Sequence, residues 1–298
     1  MPSSLDPVTR DLWHVIAATD ELPVGMVETT LLLDTRLALT RGSDGAPVVW
    51  LRSDEEAGDE IDPETILERL PVKTAYGYVW TSLGTPQSEL FPIPEFAEPD
   101  RVNMSCGSIG IHVSAPRAVE NFLDMGHFPY VHTDILGSEP HTEVKEYDVE
   151  VSEERDEVLA TKCRFMQPRA ALSASGSIEV EYVYRVPHPF CSVLYKSCPE
   201  DETRRDVIGI FLQPMTEERC RAHLLQSMID STNSITELRR FQQTIFGQDK
   251  PILENQYPKK LPLDPRAETP IRADKSAIAY RRWLSQKGIT YGVIPQAG

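Results

Sequence analysis

Cysteine is scarce in this chain, and the few that occur do not form the pattern of a disulfide-stabilised secreted protein. The 298 residues contain five cysteines, Cys106, Cys163, Cys191, Cys198 and Cys220. Their number is odd, and their spacing is not that of a disulfide framework. We therefore expect a reducing, cytoplasmic location, with the cysteines serving as small buried apolar groups or inert thiols.

The sequence also lacks long apolar runs and an excess of basic residues. No apolar stretch approaches the roughly 20 residues that a membrane-spanning helix requires, and residues 1–7 do not show the basic and apolar regions of a signal peptide. Lys and Arg number 30 against 46 Asp and Glu, which gives a formal net charge of −16. Because nucleic acids and anionic membranes attract basic surfaces, we expect neither as a partner.

A nicotinamide or flavin site is not expected either. No Gly-rich dinucleotide-binding pattern follows a predicted strand. The segment Gly107-Ser108-Ile109-Gly110 is too short and too isolated to qualify. The sequence therefore shows no means of accepting electrons directly from NAD(P)H.

Residues 120–132 contain the polar side chains that an open metal site requires. If this segment is helical, Asn121, Asp124 and His127 follow one another at i, i+3 steps and share one helix face. Their polar groups then point into one volume. Two imidazoles and one carboxylate, with coordination positions left open, form the facial arrangement of non-haem Fe(II) oxygenases, and His132 supplies the second imidazole.

His132 requires a bend in the chain. Five residues at about 100° each place it roughly 140° round the helix from His127, so a straight helix cannot aim both side chains at one metal. Pro129 removes a backbone donor and clashes with the preceding turn, and Gly126 lowers helix stability. We therefore predict a kink at Pro129 that returns His132 to the site.

The spacing Asn-x2-Asp-x2-His-x4-His in this segment resembles the catalytic-domain signature of the Rieske non-haem iron oxygenases. The resemblance implies that His127 and His132 are iron ligands and that Asn121 and Asp124 are catalytic residues. It also implies that Asp124 is not a ligand. In that family the corresponding acid orients a ligating histidine and carries electrons in from a neighbouring cluster.

The family takes its third ligand from a long helix far downstream. Residues 246–256 resemble that helix and place Asp249 at the ligand position. The alternative is an N-cap residue, because an aspartate shortly before a proline and an apolar run is also a helix-start signal. The rival carboxylates are Glu254, Asp134 and Glu143, none of which the resemblance selects.

Rieske oxygenases normally carry an N-terminal domain whose Cys-x-His and Cys-x2-His loops hold a [2Fe–2S] cluster. No cysteine of this chain has a histidine two residues later, and we interpret Cys220-Arg221-Ala222-His223 as a coincidence because it lies beyond the iron motif. Oxygenation by O2 consumes two external electrons. The resemblance therefore implies a separate Rieske-bearing reductase that supplies a [2Fe–2S] cluster in trans and takes electrons from NAD(P)H.

Seven acidic residues lie between Asp54 and Glu64, where the cluster loops of the family are expected. Such a run is usually a solvated loop. We also expect the region 41–72 to contact the electron donor. An acidic surface there attracts a basic donor, an effect that salt weakens.

The proline-rich stretch 91–96 indicates an extended crossing between two units. We predict a degenerate, cluster-less, β-rich Rieske-like domain over residues 1–95 and a mononuclear-iron catalytic domain over 96–298. The catalytic domain is expected to have the α+β helix-grip (Bet v1/START-like) fold of the family. The predicted strands are 29–40, 76–80, 104–112, 178–186, 207–212 and 222–228, with a helical run over 234–246.

Residues 249–259, 273–276 and 280–284 resemble the methylxanthine (caffeine-pathway) N-demethylases, and the lost cluster ligands match the cluster-lacking N7-demethylase subunit of that group. The resemblance implies demethylation of 7-methylxanthine to xanthine and formaldehyde, with Fe(II) and O2, in a homotrimer or a complex with other oxygenase subunits. O-Demethylation or hydroxylation of another aromatic substrate follows the same chemistry. A non-catalytic structural subunit and a ligand carrier are further alternatives.

Overall fold

The structure, a computed structural model, describes residues 6–52, 66, 68–172, 174 and 176–296. The acidic run 54–64, for which we predict a docking role, lies outside these described residues. The helices are α1 (Pro7–Arg10), α2 (Ala115–Leu123), α3 (Phe128–Val131), α4 (Ile235–Asn255) and α5 (Lys275–Lys287). None of the described helices is long and apolar enough to cross a membrane.

The strands that the structure describes are β1 (His14–Ala18), β2 (Glu28–Leu32), β3 (Thr35–Arg41), β4 (Pro47–Leu51), β5 (Val72–Ala75), β6 (Tyr78–Thr81), β7 (Val102–Ile111), β8 (Asp148–Ser152), β9 (Glu157–Gln167), β10 (Ile178–His188), β11 (Cys191–Ser197), β12 (Arg205–Thr216), β13 (Arg219–Met228), β14 (Leu261–Pro262) and β15 (Val293–Ile294). Short 3-10 helices occupy Pro94–Ala97, Pro265–Ala267 and Arg272–Asp274.

Seven antiparallel strands form the central sheet, in the order β7-β13-β12-β11-β10-β9-β8. Strands β8 to β13 follow one another as neighbours, and β7 pairs with β13. Successive side chains of a strand point to opposite faces, so Tyr182 and Tyr184 pack in the core on the helix side while Val183 packs on the other side. The predicted strands at 104–112, 178–186, 207–212 and 222–228 are confirmed.

Helix α4 lies along the face of this sheet that carries Tyr182 and Tyr184. It begins with a capping box in which Ser234 and Glu237 satisfy each other's backbone N–H groups. Its buried residues recur at three- and four-residue intervals, the spacing of one helix face: Leu238, Gln242, Phe246, Asp249 and Leu253. The separate predicted segments 234–246 and 246–256 are therefore one helix. The mixed α+β architecture of sheet and long helix is confirmed.

The N-terminal strands form two three-stranded sheets, β1-β6-β5 and β2-β3-β4. Tyr78 and Trp80 pack against Phe211 on the face of the central sheet opposite α4. The single predicted strand 29–40 is wrong. Leu33 and Asp34 have φ values of 51° and 61°, so the chain turns there and the strand divides into a hairpin. The domain boundary at residue 95 and the degenerate Rieske-like character remain predictions.

Candidate metal centre

Helix α2 ends at Leu123, before Asp124 and His127, so the predicted helix through His127 is wrong. Asp124 is already extended, with φ −76° and ψ 123°. Its Oδ1 accepts a hydrogen bond from the N–H of Gly126 at 2.7 Å. This local bond gives the backbone an alternative to the helix. The chain turns at Asp124, and only Asn121 of the predicted polar face stays in α2.

Pro129 does not kink a helix, which corrects a second expectation. It lies in the first turn of α3, where a proline loses no intrahelical hydrogen bond. His127 is the N-cap and His132 the C-cap of this short helix. One turn therefore separates the two imidazoles, and their Nε2 atoms lie 3.1 Å apart.

Helix α4 brings Asp249 to the two histidines. The residue lies well inside the helix on its buried face, so it is not an N-cap. Asp249 Oδ1 lies 3.3 Å from His127 Nε2 and 3.0 Å from His132 Nε2. Among the described residues, these three are the one group of His, Cys, Asp or Glu side chains that converges in this way.

Hydrogen bonds on the far side of each ring direct both Nε2 lone pairs toward the shared point. His127 Nδ1 lies 3.1 Å from Asp124 Oδ2, and His132 Nδ1 lies 2.9 Å from Gln248 Oε1. Because these oxygens are acceptors, each Nδ1 carries the proton and each Nε2 is free to bind a metal. Gln248 is a site residue that no sequence pattern indicated.

The three atoms fit a divalent metal ion. Ligand bonds of about 2.1 Å at right angles separate neighbouring ligand atoms by about 3.0 Å, close to the 3.0, 3.1 and 3.3 Å observed. Two lone pairs and a carboxylate oxygen facing one another repel unless a cation lies between them. Asp249 Oδ1 is accordingly buried without a hydrogen-bond partner.

The electrostatics of the cluster favour positive charge. Burial lowers the pKa of His127, but the neighbouring carboxylates of Asp124 and Asp249 outweigh it and raise the pKa to about 9. Burial raises the pKa of Asp249, whereas its contacts with His127 and His132 lower it overall. A metal ion competes with protons for such a site, since the ligands must be deprotonated to bind it.

The rival carboxylates lie elsewhere. Glu254 accepts from the N–H of His112 at 3.0 Å and pairs with Lys250. Glu143 pairs with Arg272, and Asp134 is exposed.

The five cysteines are free, buried thiols. His223, which follows Cys220 in the Cys-x2-His pattern, lies instead 3.1 Å from Gln213 Oε1 through its Nε2. The interpretation of this pattern as a coincidence remains a prediction.

A cavity opens beside the metal centre, between α4 and the central sheet. His127, His132 and Asp249 line one part of it, with Asn121 close by. Most of the remaining lining is apolar or aromatic: Phe128, Leu136, Tyr182, Leu194, Ile245 and Phe246. Its polar residues include Lys196, Asp206, Gln226 and Gln242. The arrangement suits a flat, largely apolar ligand with a few polar groups.

A family model described as the vanillate O-demethylase oxygenase C-terminal domain matches residues 111–288. The chain is 52% identical over 223 residues to the probable methylxanthine N7-demethylase NdmC of Pseudomonas sp. (strain TJI-51). The aligned region covers 75% of this chain and 79% of that protein. It is 22% identical over 239 residues to the methylxanthine N3-demethylase NdmB of Pseudomonas putida, covering 77% of this chain and 63% of that protein.

Solved structures share the fold. Pseudomonas putida CBB5 NdmA with caffeine superposes with a TM-score of 0.75 at 20% identity, over 94% of this chain and 92% of that chain. Dicamba monooxygenase bound to dicamba gives a TM-score of 0.71 at 17% identity, over 94% of this chain and 97% of that chain. The fold is thus that of a Rieske oxygenase catalytic domain. The chain belongs to the Rieske-type non-haem iron oxygenase family that includes the methylxanthine N-demethylases.

Proposed function

We propose that this chain is an Fe(II)-dependent monooxygenase that removes the N7-methyl group of 7-methylxanthine to give xanthine and formaldehyde. One observation carries the proposal. His127, His132 and Asp249 converge beside a mostly apolar cavity, in a chain 52% identical to a probable methylxanthine N7-demethylase. When bound by these residues, iron would supply the chemistry that reduces O2 and oxidises the methyl C–H bond.

The overall reaction balances as follows. O2, two electrons and two protons are consumed; one oxygen atom enters the N-methyl carbon and the other leaves as water. The hydroxymethyl group on nitrogen then leaves as formaldehyde, and the ring nitrogen recovers a proton. The side chains of Phe128 and Tyr182 exclude water and provide flat surfaces against which a heterocycle can pack.

Asp124 is proposed as the link between the site and an electron donor. Its side chain is 39% exposed, whereas that of its partner His127 is 12% exposed. Asp124 therefore reaches solvent while it holds the ring of a proposed ligand, so it is placed to position His127 and to conduct electrons toward it. Asn121 lines both the cavity and the groove that contains Asp124, and we propose a catalytic role for it.

We further propose that the electrons come from a separate Rieske-bearing reductase that oxidises NAD(P)H. The support is the absence of any Cys-x-His pair in the sequence. The same proposal includes a degenerate Rieske-like domain over residues 1–95 and the catalytic domain over residues 96–298. It also includes a cytoplasmic location and assembly as a homotrimer or as a complex with other oxygenase subunits. A structural subunit or ligand carrier is disfavoured, because neither needs a buried carboxylate oxygen aimed at two imidazoles.

The test is turnover of a substrate panel. The Fe(II)-loaded chain, a cluster-bearing reductase and NADH are incubated in air with methylxanthines or methoxybenzoates, and formaldehyde and ring products are quantified. We expect equimolar xanthine and formaldehyde from 7-methylxanthine, and none with Asp249→Ala. Selective turnover of the methoxybenzoates would show an O-demethylase instead, and ligand binding without any turnover would show a carrier.

A further inference from the structure

A buried lysine side chain lies on the cavity wall formed by the sheet. Lys196, on β11, is only 4% exposed and lines the cavity. Its Nζ lies 5.6 Å from the centre of the Tyr182 ring. An ammonium group has three N–H donors, and among the described residues the carbonyl oxygen of Ala170 is the hydrogen-bond acceptor for Nζ. Donor capacity therefore remains inside the cavity.

A buried carboxylate accompanies this cation. Asp206, on β12, is the direct cross-strand partner of Lys196, is 1% exposed and lines the same cavity. Its Oδ1 accepts from the N–H of Ile229 at 2.9 Å. Burial raises the pKa of Asp206 to about 6 and lowers that of Lys196 to about 8. Burying both groups is costly, so a ligand that pairs with them gains affinity.

Aromatic rings connect the metal centre with this pair. The ring centre of Phe128 lies 5.0 Å from that of His127 and 6.2 Å from that of Tyr182. The ammonium of Lys196 follows beyond Tyr182. A flat bicyclic ligand that packs along this wall can place a methyl group near His127 and its opposite edge near Lys196 and Asp206.

We propose that Lys196 and Asp206 recognise an imide edge of the substrate, that is, a ring carbonyl beside an unmethylated ring N–H. Lys196 donates to the carbonyl oxygen, and Asp206 accepts from the N–H. This inference rests on the proposed function and deepens it, because it restricts the substrates to xanthines whose six-membered ring keeps a free N–H. A carboxylate substrate offers acceptors only, and Asp206 repels it.

Methylation of the recognised nitrogen removes the donor for Asp206 and leaves a buried carboxylate unpaired. A site built to bond an N–H rejects the analogue that lacks it, typically by at least tenfold in affinity. The first test is calorimetric binding to the Fe(II)-loaded chain without oxygen or reductase. We expect 7-methylxanthine to bind at least about tenfold more tightly than 1,3,7-trimethylxanthine, and 4-methoxybenzoate to bind more weakly still. Equal affinities for the two xanthines would overturn the inference.

The second test uses variants of the pair. Lys196→Met removes the cation, and Asp206→Asn replaces one carboxylate oxygen by an amide donor while its amide oxygen can still accept from Ile229. Each is expected to weaken binding of 7-methylxanthine about tenfold to a hundredfold. Asp206→Asn should not weaken binding of 1,3,7-trimethylxanthine, which has no ring N–H for Asp206, whereas Lys196→Met should weaken both xanthines because both keep the ring carbonyls. Lys145→Met, at an exposed position, is the matched control. Thermal melting confirms folding, and Asp206→Asn serves alone if Lys196→Met does not fold.

The outcomes separate this inference from the proposed function. Demethylation of methylxanthines with no differential effect of the variants contradicts the inference alone. Lys196-dependent binding of 7-methylxanthine without turnover contradicts the proposed function alone. Lys196-dependent binding of 4-methoxybenzoate in preference to 7-methylxanthine overturns the inference, because Lys196 then binds a carboxylate.

Discussion

Substitution of Gln248 tests the metal centre, because Gln248 would affect iron binding only through its hydrogen bond with His132. Its Oε1 lies 2.9 Å from His132 Nδ1, and the His132 side chain is 1% exposed. In Gln248→Leu the Nδ1 proton has no acceptor, and burial denies it bulk water. Leaving a buried donor unpaired costs about 1–3 kcal/mol.

This cost destabilises the tautomer of His132 that carries its proton on Nδ1 and leaves Nε2 free for a metal. We therefore expect the affinity for Fe(II) to fall about tenfold to a hundredfold, the usual range for losing the hydrogen-bond partner of a ligating histidine. Anaerobic titration with Fe(II) against a competing chelator measures this change. Circular dichroism and thermal melting show whether the fold is retained.

Gln248→Glu is the matched control, because a carboxylate oxygen at the same position still accepts the Nδ1 proton. Its affinity for Fe(II) should equal or exceed that of the unchanged chain. Equal affinities of folded Gln248→Leu and Gln248→Glu for Fe(II) would show that the hydrogen bond to His132 does not support metal binding.

Three other predictions concern the ligands and the donor. Asp124→Asn should keep its iron while turnover with the reductase falls about tenfold or more; iron loss equal to that of His127→Ala would make Asp124 a ligand. His127→Ala, His132→Ala and Asp249→Ala should each lose iron and activity while remaining folded, whereas Glu254→Ala should keep both; the opposite result for Asp249 and Glu254 in metal analysis would move the third ligand. The purified chain with NADH alone should release no formaldehyde, and sustained turnover would contradict the separate donor.

Regular alternation made most of the central sheet predictable. Residues 178–186 alternate between buried side chains on the face that packs against the helices and exposed or half-buried side chains on the other face. The spacing of Leu238, Phe246 and Leu253 likewise marks one face of α4. Asp249 lies on that same face, so the helical period carries it toward the two histidines.

The local geometry of the site was less predictable, because it depends on side-chain contacts. The end of α2 depends on Asp124 bonding the N–H of Gly126, and the hairpin after β2 depends on the backbone at Leu33 and Asp34. Gln248 meets His132 across a sequence separation of 116 residues, which no local pattern encodes. Lys196 and Asp206 pair only through the register of two strands.

The most direct test of the central claim is the ratio of iron to acid-labile sulfide in the purified, Fe(II)-loaded chain. His127, His132 and Asp249 provide one three-ligand site among the described residues, and the sequence holds no Cys-x-His pair for a cluster. We expect about one iron per chain and no sulfide, with the iron lost in Asp249→Ala. Two or more irons per chain accompanied by sulfide would contradict a mononuclear oxygenase that depends on a cluster in another protein.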